Sequence, residues 1–136
     1  MDRISILIVD DDPDQHTVCG LFLEHAGYEV LHAFDGQEGV EMARVHQPDL
    51  VLMDIRMRRM DGVAARRALA DDRVTAGIPV IAVSADVLTW PESRVLAEGF
   101  AAHLPKPCNL KRVGMVVKRF TRRELDGLAP GVALAV

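Results

Sequence analysis

Five times along the chain a short apolar run gives way to a stretch whose apolar residues recur at helical spacing. The apolar runs cover residues 4–9, 28–34, 49–54, 80–83 and 101–104, and they are rich in valine, isoleucine and leucine. Runs of this length and composition suit strands buried on both faces. The intervening stretches carry helix punctuation. Asp12-Pro13 supplies a cap and a first helical residue, and Gly27 a stop. Val18, Leu21, Phe22 and His25 are expected on one buried stripe of this first helix. Helices are further expected over 37–46, with Val40, Met42 and Ala43 inward, and over 63–71 and 90–98. A fifth is capped by Asn109, with Leu110, Val113, Val116, Val117 and Phe120 at helical spacing. Regular strand–helix alternation forces right-handed crossovers and a parallel sheet covered on both faces. The expected fold is α/β, a doubly wound five-stranded sheet in the flavodoxin-like order 2-1-3-4-5.

At 136 residues the chain is long enough for one core and too short for two. The expected unit is residues 1–125, followed by an apolar tail, 126–136, with no output domain. Hydrophobic residues make up 49% and charged residues 26%, the balance of a soluble globular protein. No apolar run approaches the roughly 20 residues of a membrane span, and no secretory leader is read at the start. Two cysteines, Cys19 and Cys108, form no CxxC pair, which points to a reducing cytoplasm. The net charge of −4 argues against direct nucleic-acid binding. The charge is uneven: residues 109–125 set six basic residues against Glu124, leaving the remainder strongly acidic. That basic stretch reads as a solvated helix face or a docking surface for an acidic partner.

The polar residues that end the strands matter most. Asp10 and Asp11 follow the first strand, Asp54 ends the third, Ser84 the fourth, and Lys106 follows the fifth. In an open parallel sheet all of these lie at one edge, where the crevice beside the switch point binds ligands. Carboxylates gathered there need a cation to stay ionised, and hard oxygen donors select Mg²⁺. Asp11 and Asp54 are read as direct ligands, Asp10 as a ligand through water, and the backbone carbonyl of Arg56 as a further donor. Lys106 supplies a point charge for phosphate oxygens and Ser84 a hydroxyl. A carboxylate so supported is a nucleophile toward phosphorus.

These segments carry a resemblance. Ile8-Val9-Asp10-Asp11-Asp12, Val51-Leu52-Met53-Asp54, Met60-Asp61-Gly62, Val83-Ser84-Ala85 and Lys106-Pro107, in that order, resemble the receiver domain of two-component response regulators. The resemblance runs from about Ile4 to Leu125. It implies that Asp54 accepts a phosphoryl group from a sensor histidine kinase or a phosphotransfer protein. It also implies that Asp10, Asp11 and Asp54 hold Mg²⁺, that Lys106 and Ser84 meet the phosphoryl oxygens, and that the Lys106-Pro107 bond is cis. The implied output is protein contact through helix 4, strand 5 and helix 5, as a monomer or a weak dimer. An aromatic residue of strand 5 takes part in switching in this family; His103 stands at that position.

Two positions depart from the family pattern: His103, where Tyr or Phe is usual, and Arg58. Arg58 stands where the loop after the phosphoacceptor usually has proline, so a fixed φ is lost. Arg56 and Asp86, each two residues beyond a site residue, are expected to pair across the mouth and gate access. His16, His25, His32 and His46 are read as surface or helix-flank residues, Cys19 as core and Cys108 as structural. Two rival functions stand beside the phosphorylated switch. One is a pseudo-receiver, an interaction module without phosphotransfer. The other is a Mg²⁺-dependent phosphohydrolase, disfavoured because Arg56 occupies the place where such enzymes carry an acid–base carboxylate.

Overall fold

The computed structural model describes residues 3–121. The expectations for the apolar tail and for Arg122 and Arg123 lie outside these residues. The strands are β1 (Ser5–Val9), β2 (Glu29–Ala33), β3 (Leu50–Asp54), β4 (Val80–Ser84) and β5 (Ala102–Pro105). They alternate with helices α1 (Pro13–His25), α2 (Gly36–His46), α3 (Gly62–Asp71), α4 (Glu92–Ala97) and α5 (Leu110–Thr121). All five strands are parallel, in the order β2-β1-β3-β4-β5. This is the flavodoxin-like sheet expected from the sequence.

Strand periodicity explains how one sheet serves two cores. Successive side chains point to opposite faces, so Leu7, Val9, Val51, Met53 and Ala82 join one cluster with Ala43, Val63, Leu69 and Val95. Ile6, Ile8, Leu50, Leu52, Ile81 and Val83 join the other with Cys19, Leu23, Val113 and Val117. The first cluster lies under α2, α3 and α4, the second under α1 and α5. Each fully buried leucine or valine contributes roughly 1.5–3 kcal/mol.

Helix starts follow side-chain capping. The carboxylates of Asp12, Asp35 and Asp61 accept from the backbone N–H of Asp14, Glu38 and Ala64. Asn109 Oδ1 accepts from Arg112 N at 3.2 Å. α4 is shorter than the expected 90–98. Thr89 N donates instead to the Asp86 carboxylate, which shapes a turn, and Pro91 caps without a side-chain bond.

The inward line of α1 differs from the expected stripe. Val18 and Leu21 are 52% and 64% exposed and His25 is exposed, whereas His16, Cys19, Gly20 and Leu23 are buried. Gly20 explains the rotation. A Cβ there would sit 3.1 Å from His32 Cε1, so the bare backbone lets the helix approach β2 along the line of 16, 19, 20 and 23. His16, read as a surface residue, is therefore 5% exposed, and His32 is half-buried. His25 and His46 are exposed and Cys19 is core, as expected.

Candidate functional site

Register delivers the site. Val9 pairs with Met53, so the next residues, Asp10 and Asp54, leave neighbouring strands side by side. Asp54 pairs with Val83 and Ser84 with Pro105, which sets Ser84 and Lys106 at the same edge. Asp10, Asp11 and Asp54 each offer a carboxylate oxygen, all within 4.8 Å of one another. Asp10 and Asp54 are buried, at 2% and 6% exposure. Lys106 Nζ bridges them, 2.9 Å from Asp10 Oδ2 and 3.2 Å from Asp54 Oδ2. The remaining oxygens are held by backbone. Asp12 N donates to Asp10 Oδ1 at 2.9 Å, and Arg56 N to Asp54 Oδ1 at 3.2 Å. The Lys106-Pro107 bond is cis, and Lys106 N donates to the Ser84 carbonyl.

The electrostatics follow from this crowding. Burial pushes the Asp54 carboxyl up to about 6, and the neighbouring Asp10 charge adds to the rise against the opposing pull of Lys106. Burial alone would lower the Lys106 ammonium, but its hydrogen bond to Asp10 and the charges of Asp54 and Asp10 raise it. The cluster thus holds more negative charge than one lysine neutralises. Three clustered hard oxygen donors and a carboxyl held above its ordinary range fit a divalent cation of the Mg²⁺ class.

Around the mouth, Arg56 Nη2 meets Asp86 Oδ2 at 3.2 Å, so the expected pair is present. The Asp86 carboxyl is held low, mainly by hydrogen bonds from Thr89. Ser84 is buried, and its Oγ accepts from Asp86 N at 3.1 Å. Arg58 Nε lies 3.7 Å from Asp11 Oδ2, a contact the sequence reading missed. The lost proline had signalled freedom in the loop but not where an arginine would reach. Arg59 and Met60 both take positive φ, 51° and 73°, a conformation non-glycine residues rarely adopt. Asp11, Arg56, Met57, Arg58 and Trp90 line an open cleft of about 470 Å³ beside the carboxylates.

A second contact escaped the sequence reading. His16 Nε2 donates to the Asp10 carbonyl at 2.7 Å, and its Nδ1 lies 2.8 Å from His32 Nδ1. The only signal was a histidine one turn after the acidic run. His103 lies half-buried on β5, apart from the carboxylates, and its Nε2 is buried without a hydrogen-bond partner. Burial lowers its pKa.

Comparison with known proteins decides what this geometry belongs to. Residues 6–125 match the family model of the response regulator receiver domain. The chain belongs to the receiver family. It is 34% identical over 116 residues to the polar-differentiation response regulator DivK of Brucella ovis, covering 85% of this chain and 94% of the relative. Among solved structures it resembles the receiver domain of the Pseudomonas aeruginosa sensor histidine kinase PA1611, which has a magnesium ion coordinated in its active-site cleft. That likeness has 29% identity and a TM-score of 0.81, covering 88% of this chain and 98% of the other. A response regulator from Desulfuromonas acetoxidans gives 27% identity and a TM-score of 0.78, covering 85% and 94%. The receiver is thus a two-component signalling domain with the acidic site typical of its family. Among the described residues, no helix is long and apolar enough to cross a membrane.

Proposed function

We propose that this receiver is a cytoplasmic, phosphorylation-activated switch in which Asp54 accepts a phosphoryl group from a sensor histidine kinase or a phosphotransfer protein. The observation that carries the proposal is the bridging of Asp10 and Asp54 by Lys106 Nζ within a cluster of three carboxylates. Asp54 is the acceptor because it ends the central strand, with one oxygen fixed by Arg56 N and the other facing Lys106 Nζ. Its free lone pair attacks phosphorus, and the bond from phosphorus to the donor atom breaks in line. Lys106 follows the charge that develops on the phosphoryl oxygens. The Ser84 hydroxyl offers a donor to one of them.

Asp10, Asp11, Asp54 and the Arg56 carbonyl would hold Mg²⁺. Bound there, the ion supplies neutralisation of phosphoryl charge. Arg56, which lines the mouth, gates it through its ion pair with Asp86. Output runs through the α4-β5-α5 face by protein contact, as a monomer or weak dimer, with His103 as its switch residue. Leu88, Leu96 and Met115 are exposed on these elements and the loop before α4. The receiver unit is taken as residues 1–125.

The test is intact-mass measurement after incubation with a small-molecule phosphodonor. One added phosphoryl group is expected, lost without Mg²⁺ and lost in Asp54→Asn. Release of phosphate without an adduct would support the hydrolase instead. No adduct from either small donors or a phosphorylated phosphotransfer protein would support the pseudo-receiver.

A further inference from the structure

Beneath the phosphorylation site, on the α1/α5 side of the sheet, the two cysteines of the chain meet. Cys19 lies in the core at 2% exposure, while Cys108 is partly exposed, two residues beyond Lys106 in the β5–α5 connection. Gln15 Nε2 is 3.2 Å from each sulfur, so the sulfurs lie at most twice that distance apart. Both line one small pocket with Gln15, Asp10 and Asp54. Neither is bonded in the structure.

The pair is chemically asymmetric. The hydrogen bond from Cys19 draws the Cys108 thiol down to about 7, and Gln15 and the Lys106 charge assist against burial. The same bond, with burial, pushes Cys19 up. Cys108, the more exposed of the two, is the better nucleophile, and Cys19 is a buried partner lining the same pocket.

We propose that Cys108 and Cys19 form a reversible intramolecular disulfide on exposure to hydrogen peroxide, and that this crosslink slows phosphoryl acceptance at Asp54. The Cys108 sulfur attacks one peroxide oxygen, the O–O bond breaks, and the leaving hydroxide takes up a proton as water. Cys108 is then a sulfenic acid. The Cys19 sulfur gives up its proton and attacks the Cys108 sulfur. The S–O bond breaks and a second water leaves. Two thiols have lost two electrons and two protons, and the peroxide has gained them. Cys19 is anchored by the core, so the more exposed β5–α5 connection must move toward α1 to close the bond. Lys106, two residues away, shifts with it and its bridge between Asp10 and Asp54 is disturbed. A displacement of about 1 Å in a positioning group can cost up to about 10²-fold in rate.

The test treats the reduced full chain with hydrogen peroxide, blocks remaining thiols and measures intact mass without reductant. A monomer lighter by two hydrogens, with a Cys19–Cys108 crosslinked peptide, is expected. Phosphorylation by a small phosphodonor should then be about tenfold slower and recover with dithiothreitol. The rate in Cys108→Ser should not respond to peroxide. Both thiols still blockable, oxygen added to Cys108 without a crosslink, or a disulfide-linked dimer would each overturn the proposal. So would a crosslinked chain phosphorylated at the reduced rate. The rate effect rests on Asp54 as acceptor. A reduced chain that takes no phosphoryl group would overturn that effect, while the crosslink is judged by its mass alone.

Discussion

Asp54 is a carboxylate that the fold makes costly to ionise. Burial and the Asp10 charge raise its pKa from 3.8 to about 6. Between those values the folded chain holds a proton that the unfolded chain has released, so stability falls as pH rises through the interval and the loss is complete above it. The metal-free protein should lose roughly 2–3 kcal/mol across that range. Urea unfolding in chelator at stepped pH measures it. Asp54→Asn should remove this part of the slope, and an unchanged slope would place the titration elsewhere. Legibility also divides at this scale. Asp10, Asp11, Asp54, Ser84 and Lys106 could be placed because each ends or directly follows a strand, and strand ends share an edge. The contacts of His16 and Arg58 could not. A histidine's burial depends on which way α1 is rolled, and an arginine's partner on the path of a loop.

The connection from β3 to α3 is the element on which the site most depends. A Cβ on Gly62 would collide with the Asp54 carbonyl and lie 2.8 Å from Ile55 Cα. Backbone cannot yield as a side chain can. Gly62→Ala should destabilise by about 1–3 kcal/mol, despite the higher helix propensity of alanine, and should slow phosphorylation. Chemical unfolding and phosphodonor kinetics read the two effects. In the same connection Arg56 pairs with Asp86. An exposed pair of this kind contributes about 0–1 kcal/mol, so its role is access rather than stability. Arg56→Ala should raise both phosphorylation and dephosphorylation rates several-fold with little change in melting temperature. Unchanged rates would remove the gate. The α1 stripe shows why element detail was less legible than element order. Size and hydrophobicity favoured Val18 and Leu21, yet the small Gly20 decided which face meets the sheet.

Across the whole molecule, the parallel order β2-β1-β3-β4-β5 gathers one edge of polar side chains over two separate cores. This much followed from alternating apolar runs and helix punctuation, because right-handed crossovers leave few arrangements. The shape of the mouth did not, since it rests on loop conformations such as the positive φ of Arg59 and Met60. Cation binding should couple the site to global stability. Ligand that binds only the folded chain stabilises by mass action, and carboxylate ligands must be deprotonated first. Mg²⁺ should therefore raise the melting temperature more above about pH 6 than below it, and the pH dependence should flatten in Asp54→Asn.

The central claim is that phosphorus becomes bonded to the Asp54 carboxylate. Borohydride reduces an acyl phosphate to an alcohol, which converts a phosphorylated aspartate to homoserine. After phosphorylation in Mg²⁺ and borohydride treatment, peptide mass spectrometry should find homoserine at position 54 and aspartate at positions 10 and 11. Homoserine at position 10 or 11, or a phosphoryl group retained on another residue while position 54 stays aspartate, would contradict it.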